Sequence, residues 1–128
     1  MEFTKGIKAL MSANSDVTSI VGTKIYPLQA PSGTALPFIT YEVTSSDIGH
    51  TKDKACHNLA RVEIVGYTAT YAEAVTLITK LKETFARASY NSGGIVIDKI
   101  FLDIEEIEYF ESPDRYACVL EVKAFVPL

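Results

Sequence analysis

A strand pattern that runs directly into a helix pattern is the strongest constraint in this sequence. Over 59–67, residues of one parity are apolar or small and alternate with a more polar set, and this period of two predicts a strand with one buried face. Thr70 and Glu73 then form a capping box, in which the hydroxyl and the carboxylate satisfy amide groups at the start of a helix. The helix has one apolar stripe, made of Ala74, Leu77, Ile78, Leu81 and Phe85. The chain must therefore build at least a sheet covered by an amphipathic helix.

The N-terminal part predicts two helices and a short strand. Helical spacing over 3–13 predicts an amphipathic helix with the apolar stripe Phe3, Ile7, Leu10 and Met11. A second, short helix over 17–21 is expected to be capped by Ser15-Asp16 and to end at Gly22. The segment 25–27 then reads as extended.

The middle of the chain predicts two strands separated by a long loop. Residues 29–36 contain Pro31 and Gly33 in a polar run and are expected to be a loop. A strand is expected from Pro37, because β-branched and aromatic residues follow it. Residues 45–57 are polar, and we expect them to form a functional or mobile loop.

The C-terminal part predicts a hairpin. Asn91-Ser92-Gly93-Gly94 is expected to end the long helix as a C-cap, because these residues tolerate positive φ. A strand over 95–110 should bulge at Glu105-Glu106, where the apolar parity changes. After a turn at 112–114, a last strand is expected over 115–126.

These elements predict a single α+β domain over 1–128. A mainly antiparallel sheet of about four to five strands should carry the long helix and the N-terminal helix on one face. The length of 128 residues suits one domain.

Composition narrows the classes of function. A formal charge of -4 has the wrong sign for a protein that coats nucleic acid. No apolar stretch approaches the length of a membrane span, so we expect no membrane partner. Cys56 and Cys118 are too few for a disulfide framework, which favours a reducing compartment.

The sequence offers little for catalysis or for a cofactor. His50, Cys56 and His57 could be imagined as metal ligands, but adjacent Cys56 and His57 rarely reach one ion and no second ligand pair completes a site. Gly93-Gly94 follows a helix, whereas a phosphate-binding glycine loop precedes one. We therefore expect no enzyme activity, no metal and no cofactor.

An acidic run is the densest cluster of charge, and it is made of Asp103, Glu105, Glu106, Glu108 and Glu111. In an unbroken strand Asp103 and Glu105 would lie on one face and Glu106 and Glu108 on the other, so these side chains would not converge. A solvated strand face, or charge that discourages edge pairing, explains the run simply. Alternatively, the run lines a passage for DNA within a ring of subunits.

The order of segments resembles the tail-completion or tail-terminator proteins of long-tailed bacteriophages and prophages. Residues 16–27 read DVTSIVGTKIYP, 36–41 read LPFITY, and 61–67 read RVEIVGY before the helix that follows Thr70. In that family a short helix ends in V-G-x-x-I-Y-P, a strand begins with L-P-(F/Y), and R-V-(Q/E)-(I/V) precedes the long helix. The likeness spans nearly the whole chain.

The resemblance implies a structural protein of the virion, at the head-proximal end of the tail, that assembles in the host cytoplasm. Copies would form a ring, by family likeness a hexamer, on the last ring of the major tail tube protein. The ring would stop tube polymerisation, offer a surface to the head-tail connector proteins and let DNA pass without specific binding. Candidate interface or channel-lining residues are Asp47, His50, Lys52 and Lys54 in the polar segment, and Asp103, Glu105, Glu106 and Glu108 in the acidic run.

Two other functions stay open. A head-closure or connector protein would act at another joint of the same particle. A small-ligand-binding or catalytic α+β domain would instead use the acidic strand.

Overall fold

A computed structural model describes residues 3–50, 55–111 and 114–127 of the chain. Three helices are present in these ranges: α1 (Thr4–Ala13), α2 (Ser15–Val21) and α3 (Tyr71–Phe85). The strands are β1 (Ile25–Pro27), β2 (Phe38–His50), β3 (Ala55–Thr68), β4 (Tyr90–Ser92), β5 (Ile95–Ile97), β6 (Lys99–Glu111) and β7 (Asp114–Pro127). No helix of the described ranges is long and apolar enough to cross a membrane.

The main sheet has five strands in the order β1-β2-β3-β7-β6. The short strand β1 runs parallel to β2, and all other neighbours are antiparallel. The strands β4 and β5 form a separate small hairpin. This architecture confirms the predicted α+β class with a mainly antiparallel sheet.

The core lies between the helices and one face of this sheet. The alternation in β3 and β7 buries even-numbered residues, among them Val62, Ile64, Leu120 and Val122. The predicted stripe of α3 is buried throughout, and Ile7 and Met11 of α1 are fully buried. Gly66 packs directly against α3: a Cβ atom there would clash with Leu77 and lie 2.8 Å from Cys118 Sγ. The glycine in β3 therefore makes room for α3.

The helices α2 and α3 each begin with a side-chain cap, but only the cap of α3 was predicted at the right residue. The Thr70 hydroxyl accepts a hydrogen bond from Glu73 N at 3.2 Å, which confirms Thr70 as the cap of α3. The other half of the predicted capping box differs, because the Glu73 carboxylate accepts from the Thr70 hydroxyl and not from a backbone amide. For α2, the prediction of Ser15-Asp16 as the cap was wrong. The Asn14 side chain caps this helix and accepts from Asp16 N at 2.9 Å, because Asn14 is still extended whereas Ser15 is already helical.

The predicted end of the long helix was also wrong. The helix α3 ends at Phe85, the last residue of its apolar stripe, and Ala86 is its C-cap. Gly93 and Gly94 instead join β4 to β5, with φ of 59° and 81°. Two consecutive positive φ values are what a two-residue hairpin turn of type I′ requires. The glycines therefore serve a turn and not a helix cap.

The polar segment 45–57 is not a loop where the structure describes it. β2 and β3 stay paired from Ser45 opposite Arg61 as far as His50 opposite Ala55, with irregularities near Thr44 and between Gly49 and His50. Backbone hydrogen bonds hold such a ribbon whatever its side chains, so polar residues on both faces do not end it. Residues 51–54 lie outside the described ranges.

The C-terminal hairpin is confirmed for β6 and β7, but the predicted strand over 95–110 is divided, since 95–97 form β5 of the separate hairpin. The bulge also lies earlier than predicted. The register of β6 against β7 shifts between Leu102 and Ile104, at Asp103, and not at Glu105-Glu106. The predicted turn residues Ser112 and Pro113 lie outside the described ranges, and Glu111 pairs with Asp114 on either side of them. The displaced bulge changes which face each acidic side chain of β6 occupies.

Candidate interaction surfaces

The face of the main sheet opposite the helices is called here the open face. Three glutamates lie abreast on it, because Glu42 pairs with Glu63 and Glu63 pairs with Glu121 across β2, β3 and β7. We call these residues the acidic row. Partial burial raises the pKa of Glu63, and the charges of Glu42, Glu121, Glu106 and Glu108 raise that pKa further. The open face therefore concentrates negative charge on its central strand.

The acidic run of β6 is divided between the two sides of the sheet, but not as predicted. Asp103 lies on the open face, 3.7 Å from Arg61 and 4.0 Å from Lys123. Glu105 lies on the helix side, where Lys82 of α3 approaches it to 2.9 Å. Placing Asp103 and Glu105 on one face was therefore wrong, because Asp103 is the extra residue of the bulge and the alternation after it is shifted by one residue.

Glu106 and Glu108 lie on the open face with Asp103. Their partners in the register are Val119 and Ala117 of β7, which have the same parity as Glu121. Both glutamates raise the pKa of Glu63, which is consistent with that placement. The structure thus brings them together with the acidic row, and separates Glu105 from them.

The strand β6 is one edge of the main sheet, and within the described residues it has a neighbouring strand only on the β7 side. Near its start, Ile100 N donates a hydrogen bond to Ala88 O. Its large exposed apolar residues are Phe101, Leu102, Ile104, Tyr109 and Phe110, with exposures between 38% and 51%. A long edge strand that exposes apolar side chains is suited to pairing with another chain. Acidic and apolar residues therefore share this edge.

The candidates in the polar segment have different positions. Asp47 is exposed on β2, with Leu59 of β3 as its register partner. The backbone of His50 pairs with Ala55 near the end of the ribbon. Lys52 and Lys54 lie outside the described ranges. On the side of β2 away from β3, β1 covers only Ile39–Tyr41, so the rest of β2 has no strand there within the described ranges.

A cavity of about 350 Å³ opens at one end of the open face. One wall is the loop 28–36, and the other residues that line the cavity are Phe38, Thr40, Tyr67 and Arg115. We call it the Arg115 pocket. Sequence reasoning missed this pocket because residues from a loop and from β2, β3 and β7 meet there only in the folded chain.

The buried thiol of Cys118 is not suited to chemistry. Burial raises its pKa to about 11, so the thiol stays protonated at neutral pH. Within the described ranges no group of three or more His, Cys, Asp or Glu side chains is arranged to hold a metal ion. The residues that the structure describes thus present contact surfaces more clearly than a reaction centre.

No protein-family model and no curated protein matches the sequence. A search of solved structures finds a similar chain in the virion of a native gene transfer agent (GTA) particle. The TM-score is 0.75 at 17% identity, and the match covers 95% of this chain and 92% of that chain. At this identity the comparison shows a shared fold.

Proposed function

We propose that this chain is a structural protein of a phage-like particle, which forms a ring at the head-proximal end of the tail. The ring, a hexamer by family resemblance, caps the tube of the major tail protein, ends its polymerisation and presents a surface to the connector proteins of the head. The observation that carries the proposal is the shared fold with a virion chain over 95% of this sequence. The sequence phrases around 16–27, 36–41 and 61–67 support the finer assignment to the tail terminus.

The two edges of the sheet supply the contacts between copies in this proposal. β6 offers unpaired backbone groups beside exposed Ile104 and Phe110, and burying such side chains drives association. The outer part of β2, which includes Asp47 and His50, offers a second edge. Because these edges are different surfaces of one chain, contacts between them are head-to-tail, and head-to-tail contacts form a ring when the rotation from one subunit to the next closes.

The open face gives the ring a surface for the DNA passage. The acidic row and the neighbouring Glu106 and Glu108 carry negative charge. Negative charge repels phosphates, so DNA would move past this face without binding it. In this proposal the chain is not an enzyme and needs no cofactor.

The test is electron microscopy of particles from a strain that lacks this gene. Overlong or unattached tails beside filled heads are expected. Unattached tails of normal length would instead indicate a head-closure or connector protein. Normal infectious particles would contradict both assignments.

Complementation of the gene deletion with variants of this chain tests whether β6 contributes to the proposed function. The double variant I104K/F110K places charges on the exposed edge and should fail to restore normal tails, because lysines on an edge oppose strand pairing. The control is V75K, which changes an exposed apolar residue of α3 and should restore them. Equal rescue by the two variants would remove β6 from the interface.

A further inference from the structure

The open face carries two adjacent rows of opposite charge. Next to the acidic row, Arg61 of β3 pairs with Lys123 of β7, and we call these two residues the basic row. Asp103 lies 3.7 Å from Arg61 and 4.0 Å from Lys123. One carboxylate cannot balance two cations, so the basic row keeps a positive charge beside the negative charge of the acidic row.

The levels of the sheet beyond the two rows resemble each other, except for the sign of one charge. Each has an apolar residue on β3, an apolar residue on β7 and a charged residue on β6. Beyond the basic row these residues are Leu59, Phe125 and Lys99. Beyond the acidic row they are Val65, Val119 and Glu106. Reversing the order of the four levels therefore exchanges cations for carboxylates and leaves apolar residues in place.

This order makes the open face complementary to itself. Consider two copies with their open faces together and a two-fold axis that is perpendicular to the strands and passes between the basic and acidic rows. Opposite charges of the two copies then face each other in three kinds of pair: Arg61 with Glu63, Lys123 with Glu121, and Lys99 with Glu106. A two-fold axis parallel to the strands would instead place one acidic row on the other. The charges therefore select one arrangement.

The remaining carboxylates of these levels face neutral or basic side chains in this arrangement. On β2, Glu42 of one copy faces Ser45 of the other, and Asp47 faces Thr40. Asp103 lies nearest to the axis, where the basic rows of the two copies flank it.

The same arrangement covers exposed apolar side chains. Phe101 and Ile104 are 42% and 50% exposed, and their register partners are Lys123 and Glu121. The two-fold axis therefore brings Phe101 of each copy onto Ile104 of the other. Burial of apolar surface drives association. Since the open face has more carboxylates than cations, the apolar contacts supply the affinity and the charges fix the orientation.

The size of the patch predicts a weak contact. Four levels on four strands cover about 20 by 25 Å, because strands lie about 4.8 Å apart and rise about 3.4 Å per residue. Two copies would thus bury about 1,000 Å², which is at the low end for specific interfaces. Face-to-face packing with strands within about 30° is a usual arrangement of two sheets. We expect a dissociation constant of about 10–100 µM.

We propose that two copies of this chain pack open face to open face around this axis to form a two-fold dimer. This inference goes beyond the proposed ring, because it concerns the free protein before assembly. In the ring the same face lines the DNA passage, so the dimer must separate when the ring forms. A weak contact permits that separation and covers the acidic row until then.

Charge exchange between Lys99 and Glu106 tests the dimer. The two residues are about 20 Å apart along β6 of one copy and form no ion pair within the described residues. In K99E, and likewise in E106K, both contacts of the dimer bring like charges together. Each variant should therefore dimerise about tenfold more weakly at low salt, with a smaller difference at high salt. Sedimentation equilibrium of the full chain would measure the affinities.

Mixing the variants separates a contact between copies from an effect within one copy. In an equimolar mixture of K99E and E106K both contacts join opposite charges, so dimers of nearly wild-type affinity are expected. The double variant K99E/E106K should recover for the same reason. The controls K8E and E83K make the same charge changes on α1 and α3 and should dimerise like wild type, alone or mixed. Circular dichroism checks the folding of every variant.

The dimer and the ring can fail separately. A wild-type chain that stays monomeric, or that passes from monomers to rings without a dimer, would overturn the dimer. Wild-type affinity in both K99E and E106K, or no recovery in their mixture, would overturn it as well. Normal infectious particles from the deletion strain would overturn the ring and leave the dimer standing.

Discussion

Glu63 and Glu121 lie directly opposite each other on the neighbouring antiparallel strands β3 and β7, on the face of the sheet without helices. Like charges in this position destabilise a sheet, and Glu42 adds a third carboxylate to the row. Lysine at the central position would pair with both neighbours. The row therefore concentrates a repulsion between carboxylates that folding alone does not need.

Replacement of Glu63 by glutamine should stabilise the protein at pH 7. The folded protein raises the pKa of Glu63 above its ordinary value of 4.5. Between the two pKa values the folded state holds a proton that the unfolded state has released, so stability falls as the pH rises through this window. Above the window the ionised carboxylate disfavours folding, and removing it should add about 0.5 kcal/mol to the free energy of unfolding.

Urea unfolding between pH 4 and pH 8 would measure this effect. The gain in E63Q should shrink as the pH falls below the folded pKa, and high salt should reduce it at pH 7 by screening the repulsion. E83Q, which changes an exposed glutamate of α3, should leave stability nearly unchanged. A loss of stability in E63Q at pH 7 would show that the carboxylates of the row do not repel in the folded protein.

The elements that could be predicted from the sequence are those whose apolar residues recur with a regular period and pack on one side against the core. Helix α3 and the central part of β3 were predicted because the stripe from Ala74 to Phe85 and the alternation over 59–67 each bury one side. The strand residues at 45–50 and 55–57 could not be predicted, because these polar residues carry no periodicity although their backbone is paired. Asn91–Gly94 suits a helix cap and a hairpin turn equally, and only the position of β5 decides between them.

The candidate surfaces were less predictable than the fold. The acidic run of β6 is visible as composition, but the bulge at Asp103 decides its faces. The row of Glu42, Glu63 and Glu121 depends on a register between distant segments. Each of these glutamates is a single residue in a separate strand, so the sequence does not indicate that the three lie side by side in the sheet.

A methyl group at Gly66 should destabilise the core. The Cβ atom of alanine would meet Leu77 of α3 and Cys118 of β7, and overpacking of this kind costs about 1–3 kcal/mol. Thermal and urea unfolding of G66A would measure the loss. In G66A/L77A the removed leucine atoms leave space for the methyl group, so the double variant should be less destabilised than the sum of the single variants. Additive losses would contradict the predicted clash.

Removal of the cap of α3 should lower stability moderately. Thr70 accepts a hydrogen bond from Glu73 N and donates one to the carboxylate of the same residue. T70A should lose about 1 kcal/mol in urea unfolding. The control is T79A, whose hydroxyl donates to Val75 O within the helix and contributes little. Equal losses in the two variants would mean that Thr70 is not acting as a cap.

Reversal of the lysine charges in the polar segment should weaken assembly of the proposed ring. K52E/K54E removes cations that could pair with acidic residues of a neighbouring copy, and charges at the rim of an interface act mainly on association rate and salt dependence. We expect assembly about threefold to tenfold weaker at low salt and a smaller difference at high salt. The control K8E/R87E makes the same change in formal charge on α1 and after α3 and should assemble like wild type. If K52E/K54E and the control assemble equally well, the segment that includes Asp47 and His50 lies outside the interface.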